Sequence, residues 1–296
     1  MPIYPFLQID VFSDHPLGGN PCAVLMDTED LDEAAMLAIA RENNLSETAF
    51  LRSSDTATAA ARFFTPASEI PFAGHPTIAA VYALFDSGRT VLAGEVTRIS
   101  LELIVGTIPI DVYAQNGIIQ RIVMTQMRPE FLRIYSAAEI VPVFNLEEDD
   151  LLPGACLQTV STGTPYLMLP LKDHKALRKA RLDIPRYIEL RNRSDFFSPH
   201  LFCLDGISID ASTFARNLDV PPDLPEDPFT GSATGCMAAY LWRYGQIESP
   251  EFIAEQGHWM QRPGRAWVEV IGQPDDIQAV KVSGNAVTVV RGSFHL

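Results

Sequence analysis

The hydrophobic pattern opens as a strand. Leu7–Phe12 alternates apolar and polar positions, and a Gly/Pro loop, "HPLGGNPCAV", leads from it into a short apolar run. Asp30 followed by Glu33 has the spacing of a capping box, and Leu31, Ala35, Leu37, Ala38 and Ile39 then line one side of a helix that ends near Asn43–Asn44. The strand after it, within "NNLSETAFLR", carries a carboxylate in an apolar row. Glu47 falls on the face of Leu45, Ala49 and Leu51, opposite Ser46, Thr48 and Phe50. "AARFFT" is a further strand that runs into the turn-rich "PASEIPFAGHPT". The segment after that, "IAAVYALFDSG", is apolar all round with Gly88 placed to end it, the mark of a helix buried on every side.

From Glu95 to Thr125 the chain reads as strands, with Asn116-Gly117 as a hairpin turn. "MRPEF" and the acidic stretch up to Pro153 mark a crossing into a second half. That half has strands near "CLQTVSTG", "YLMLPL", "LFCLDG" and "GISIDAST", with a polar helix, "DHKALRKARL", among them. A second turn-rich loop, "PPDLPEDPFTGSAT", precedes a second small-residue helix, "GCMAAYLWRYG", and strands return at "AWVEVIG", "AVKVSG" and "AVTVVRG".

The two turn-rich loops match. Glu69-x-Pro71-Phe72-x-Gly74-x-x-Thr77 has the spacing of Glu226-x-Pro228-Phe229-x-Gly231-x-x-Thr234, offset by 157 positions. Each copy leads into a helix too apolar for a surface, which points to a duplication. The expectation is an α+β protein of two similar domains, each with a buried helix wrapped by strands. Their boundary falls at 1–128 and 129–296, and a return of the last strand to the first domain is left open. Each loop would bring its glycine to the start of the buried helix, and two helix starts facing a cleft could bind a substrate carboxylate through backbone N–H groups.

Composition narrows the function classes. The chain has 296 residues, 47% hydrophobic, with a formal net charge of −15. An acidic chain without a long Lys/Arg run is a poor partner for nucleic acid. No apolar run reaches the roughly 18 residues of a membrane span, and the N-terminus lacks the basic region and cleavage site of a signal peptide. Cys22, Cys156, Cys203 and Cys236 form no CxxC pair, so they read as reduced thiols of a cytoplasmic protein and suggest no metal site. Nucleotide-binding loops and a GxSxG nucleophile motif are missing.

Among the polar residues, alternation alone leaves Glu47 open between an edge carboxylate facing solvent and a carboxylate in a partly dry pocket. In the second case its pKa would rise above the reference of about 4.3, as suits a group that takes and returns a proton near neutral pH. His75 lies in a tight "GHP" turn at a helix start. Asp227 and Ser232 could be plain helix caps.

These segments carry a family signature. "DVFSDHPLGGNPCAV", "NLSETAFL", "RFFTPASEIPFAGHPT", "EDPFTGSATG" and "EQGHWMQRPG" resemble, in order, the motifs of the PhzF (phenazine biosynthesis-like) family, which has the diaminopimelate epimerase-like fold. The resemblance implies two pseudo-symmetric domains, each a mixed β-sheet rolled into a barrel around a central α-helix, with the active site in the cleft between them. It implies a homodimer and a cofactor-free, metal-free proton transfer at carbon on a small carboxylate-bearing substrate. Carried over, Glu47 looks like the general acid/base, and His75 and Asp227 like catalytic partners. Gly74, Pro76, Thr77, Gly231, Ser232 and Ala233 look like the substrate-binding set. Thr234 departs from the family pattern, where a His is expected.

The epimerases of this fold use two cysteines, at positions that correspond to Ala73 and Thr230 here. An isomerase with one working carboxylate is therefore favoured over a two-thiol epimerase. A non-catalytic small-acid binding protein on the same scaffold is the alternative from another class.

Overall fold

The computed structural model describes residues 2–296. The chain divides into two compact units. The first takes in residues up to Thr125, with Pro222–Leu224 and Ser283–Leu296; the second takes in Gln126–Pro221 and Pro225–Val282.

The first unit runs β1 (Ile3–Val11), β2 (Asn20–Leu25), α1 (Glu33–Asn43), β3 (Glu47–Arg52), β4 (Ala59–Phe64), β5 (Glu69–Ile70), α2 (Gly74–Asp86), β6 (Val96–Leu103), β7 (Gly106–Gln115) and β8 (Ile118–Gln126). The strands pair in a fixed succession: β1–β2 antiparallel, β2–β3 parallel across α1, β3–β4 antiparallel, β4–β6 parallel and β6–β7 antiparallel. The β7–β8 hairpin turns through Asn116 and Gly117, both at positive φ, as the Asn-Gly pair requires.

α1 is capped by Asp32, whose side chain accepts from the Ala35 amide at 2.8 Å, and not by Asp30. Asp30 instead accepts from the Tyr4 hydroxyl, which removes it from the helix start. The helix ends at Asn44 in the left-handed region and buries Met36, Ile39 and Ala40 against Phe50 and Phe64. Because Phe50 faces α1, the alternation of β3 turns Glu47, Ala49 and Leu51 the other way, toward α2, which also packs on this strand. Both faces of β3 are therefore covered.

α2 is buried around its circumference from Gly74 through Val81, and again at Ala83 and Leu84. It leaves the helix at Ser87, and Gly88, at φ +73°, takes the left-handed position that follows.

The second unit runs β9 (Glu130–Tyr135), α3 (Ala137–Ile140), β10 (Leu157–Ser161), β11 (Pro165–Pro170), α4 (His174–Lys179), α5 (Ile184–Asn192), β12 (Ser198–Cys203), β13 (Thr213–Leu218), β14 (Glu226–Asp227), α6 (Gly231–Arg243), β15 (Glu251–Gln256), β16 (Gly264–Gln273) and β17 (Asp276–Gly284). The succession of pairings recurs. β10–β11 is antiparallel, β11–β12 parallel across α4 and α5, β12–β13 antiparallel, β13–β15 parallel and β15–β16 antiparallel. Leu167, Leu169, Leu201 and Phe214 on the sheet pack with Leu177, Tyr187 and Leu190 of the crossover helices. The opposite face meets α6, which is buried from Gly231 through Leu241. The last strand, β18 (Ala286–His295), runs antiparallel to β1 in the first unit.

Two segments differ from the sequence expectation. "GISIDAST" is a loop until Thr213, because the amides of Ile207 and Ser208 are taken by the fully buried Glu255 carboxylate at 2.7 and 2.9 Å. The polar helix stops at Lys179, and a separate helix, α5, follows it. Asp183 caps α5 by accepting from the Arg186 amide, and Pro185 sits in its first turn, a helix-start pair that breaks the run of "DHKALRKARL". Among the described residues, no helix is long and apolar enough to cross a membrane.

Candidate active site

In the first unit, three elements begin near one another. The chain makes a tight return at Gly19, at φ +54°, where an added Cβ would lie 1.9 Å from the Val11 carbonyl oxygen. The Asp10 carboxylate accepts the Leu17 amide at 2.7 Å and holds the same loop. β2 therefore starts at Asn20, in register with Val11. One strand over, Cys22 lies beside Glu47, the first residue of β3. α2 begins at Gly74 and carries His75 in its first turn.

The result is a buried polar line. The Nδ2 of Asn20 lies 3.0 Å from Nδ1 of His75, and Nε2 of His75 lies 3.2 Å from Oε2 of Glu47. His75 is 3% exposed and the Glu47 side chain 18%, so the carboxylate is largely dry yet open on one side. Pro76 and Thr77 are buried in the same turn, and the Thr77 hydroxyl donates to the Ala73 carbonyl at 2.7 Å. Burial, and then the charge of Glu47, push the Cys22 thiol well above its ordinary pKa.

The second unit has its own polar group at the start of α6. Asp227, on β14, accepts from the Thr230 hydroxyl at 2.6 Å. Gln256, at the end of β15, locks this loop. Its Oε1 accepts the Thr230 amide at 3.1 Å, and its Nε2 donates to the Asp227 carbonyl at 2.7 Å. Ser232 is buried with its hydroxyl 2.7 Å from that of Tyr166. The Gly231 carbonyl accepts from Gln126 Nε2 at 3.0 Å, and Gln126 Oε1 accepts from Thr162. Gly235 has no side chain because a Cβ there would lie 1.8 Å from Gln126 Oε1. Ala233 is fully buried, and Thr234 donates its hydroxyl to the Thr230 carbonyl at 2.9 Å.

The predicted residues thus group as Glu47 and His75 with Gly74, Pro76 and Thr77 in one unit, and Asp227 with Gly231, Ser232 and Ala233 in the other. Asn20, Tyr166, Gln126 and Gln256 received no role from the sequence. Asn20 and Gln256 nonetheless lie inside the motifs "GGNPC" and "EQGHW", whose spacing was the available signal.

Ala73 and Thr230 occupy the N-caps of α2 and α6, and neither cap residue makes a side-chain hydrogen bond to its helix. Cys236 lies further along α6, fully buried against Thr162, and burial pushes its thiol up to about 12. Cys203 is likewise pushed up to about 12 by burial. At neutral pH such thiols stay protonated and unreactive. Alkylation of the native protein at pH 7.5 is expected to spare Cys22, Cys203 and Cys236 and to leave activity intact. Inactivation that tracks modification of Cys22 or Cys236, read by peptide mass spectrometry, would reinstate thiol chemistry.

Comparison with known proteins gives the chain's relatives. The family model described as phenazine biosynthesis-like protein (PhzC-PhzF) matches residues 9–292. An uncharacterized isomerase of Clostridium acetobutylicum is 34% identical over 305 residues, covering 99% of this chain and 98% of its own. The trans-2,3-dihydro-3-hydroxyanthranilate isomerase of Pseudomonas chlororaphis is 32% identical over 299 residues, covering 99% and 100%. Among solved structures, a PhzF-family phenazine biosynthesis protein of Bacillus anthracis superposes with a TM-score of 0.88 at 27% identity, over 100% of both chains. With the family model matched over nearly its whole length, the chain belongs to the phenazine biosynthesis-like (PhzF) family.

Proposed function

We propose that this PhzF-family isomerase shifts a proton on a small carboxylate-bearing substrate, with Glu47 as the one acid/base and without a cofactor. The observation that carries the reading is the Glu47–His75 pair: a carboxylate mostly shielded from water, with an imidazole nitrogen 3.2 Å from one oxygen. A carboxylate so placed accepts a proton from carbon more readily than one in bulk water, and the same group, once protonated, returns it. A proton removed and redelivered by one group on one face gives a double-bond shift or tautomerisation, and it consumes no redox equivalent.

The other roles follow from the chemistry of the remaining residues. His75 holds Glu47 in place. The amides at the start of α2, from Gly74, and of α6, from Gly231, lack a side-chain cap and suit carboxylate oxygens. Asp227 and Ser232 bind the substrate's polar groups, held by Thr230 and Tyr166 respectively. Pro76, Thr77 and Ala233 shape these helix starts from within, since their side chains are buried.

The Pseudomonas chlororaphis relative is named for a ring acid, trans-2,3-dihydro-3-hydroxyanthranilate, so a cyclic unsaturated carboxylate is the first substrate to try. Incubating the protein in deuterated water with that compound and a panel of cyclic carboxylic acids is expected to place deuterium on a ring carbon of one of them, read by NMR. Binding of a panel member without any exchange at carbon would support instead a small-acid binding protein.

A further inference from the structure

We propose that Asn20 is a positioning residue for His75: its side-chain amide donates to Nδ1, which fixes the proton of the ring on Nε2, the nitrogen on the side of Glu47. The observations are the 3.0 Å contact between Asn20 Nδ2 and His75 Nδ1, and the 3.2 Å approach of the opposite ring nitrogen to Glu47 Oε2.

The chemistry of the groups gives the tautomer. An amide NH₂ can only donate, so the ring nitrogen it faces must be the acceptor. A neutral imidazole then carries its one proton on the other nitrogen, Nε2. An ionised carboxylate can only accept, so a proton on Nε2, 3.2 Å from Oε2, suits it where a bare nitrogen lone pair would repel it. Amide, imidazole and carboxylate form one line in which each group presents the complementary partner to the next.

The amide also opposes a second proton on the ring. An imidazolium needs an acceptor at Nδ1, so Asn20 would have to turn its oxygen toward the ring. Asn20 is fully buried, and its backbone, held in the β1–β2 ladder after the constrained return at Gly19, keeps the amide beside the ring with Nδ2 facing Nδ1. Keeping His75 neutral matters for its neighbour. A full positive charge 3.2 Å from Glu47 would stabilise the carboxylate and make it a weaker base. The "GGN" motif thereby has a physical reading: glycine for the close return, asparagine for the tautomer of a histidine 55 residues away.

That Asn20 serves proton transfer rests on the assignment of Glu47 as acid/base; the tautomer does not. Long-range ¹H–¹⁵N correlation spectra of the uniformly labelled protein test it, with His75 identified by the signals lost in His75→Asn. The expected spectrum at pH 7.5 shows Nδ1 in the unprotonated range and Nε2 in the protonated range. In Asn20→Asp, which keeps the shape but replaces the donor by an acceptor, Nδ1 is expected to move to the protonated range. Exchange at the substrate carbon is expected to fall on the order of 10²-fold.

A protonated Nδ1 in the native protein would overturn the proposal, as would an Asn20→Asp variant whose His75 signals stay where they were. If that variant does not fold, the native spectrum still decides. Failure of the acid/base reading is a separate result: Glu47→Gln would retain exchange while the His75 tautomer stood.

Discussion

Glu47→Gln is expected to remove solvent-deuterium incorporation, with a fall in turnover of at least ~10³-fold, while the substrate still binds within a few-fold of native affinity. The size follows from one group acting twice. General acid–base catalysis by a placed side chain contributes roughly 10²–10⁴-fold to a step, and here both removal and return of the proton pass through the same carboxylate. Glutamine keeps the shape and a carbonyl oxygen that can accept from His75, so the polar line of Asn20, His75 and position 47 survives, and stability should change little. What is lost is the ability to hold a proton. Measured by NMR with the substrate that exchanges in the native enzyme, retained incorporation in Glu47→Gln would end the assignment of Glu47 as acid/base.

How far this site could be read from the chain differs from residue to residue. Alternation places Glu47 on the face of Ala49 and Leu51, and the structure has it there. It does not say that the opposite face is equally buried, because the partner of Phe50 is α1, supplied by another part of the chain. The spacing of the two loops was legible because each repeated residue does the same local work twice. Thr77 and Thr234 both donate to a carbonyl four residues back, and Phe72 and Phe229 are both buried.

The residues that orient the site were not legible. Asn20 meets a ring 55 positions away, and Gln256 reaches back 29 positions to Asp227. Hydrophobic periodicity reports only which face a side chain takes, not what waits opposite it. The same limit explains the "GISIDAST" segment. Its alternation suits a strand, yet a carboxylate on another strand captures the amides that a ladder would need.

The repeated glutamate of the two loops has a structural role, and removing its partner is expected to unfold the second unit more readily than the first. Glu226 is held by Arg216 through two parallel bonds of 2.8 and 2.7 Å, and Glu69 by Arg62 through two of 2.6 Å. The arginine stands two residues before the glutamate's strand partner in both cases, on β13 and β4. Arg216 does more, since its Nη1 also donates to the carbonyls of Leu177 and Ala180 at 3.0 and 3.1 Å. Its side chain is 10% exposed against 20% for Arg62. Arg216→Met takes the partner from the half-buried Glu226 carboxylate and the donor from the Leu177 carbonyl, while the Ala180 carbonyl keeps Arg181 Nη1 at 2.7 Å, and is expected to cost about 2–4 kcal/mol. Arg62→Met strands no such carbonyl and should cost less by about 1 kcal/mol. Combining Arg216→Met with Glu226→Gln removes the stranded charge, so the double variant should be more stable than Arg216→Met alone. Urea unfolding of the four proteins checks the order. A double variant no more stable than Arg216→Met would mean that the ion pair is not the source of the loss, and that the Leu177 carbonyl and the packing of the arginine stem carry it instead.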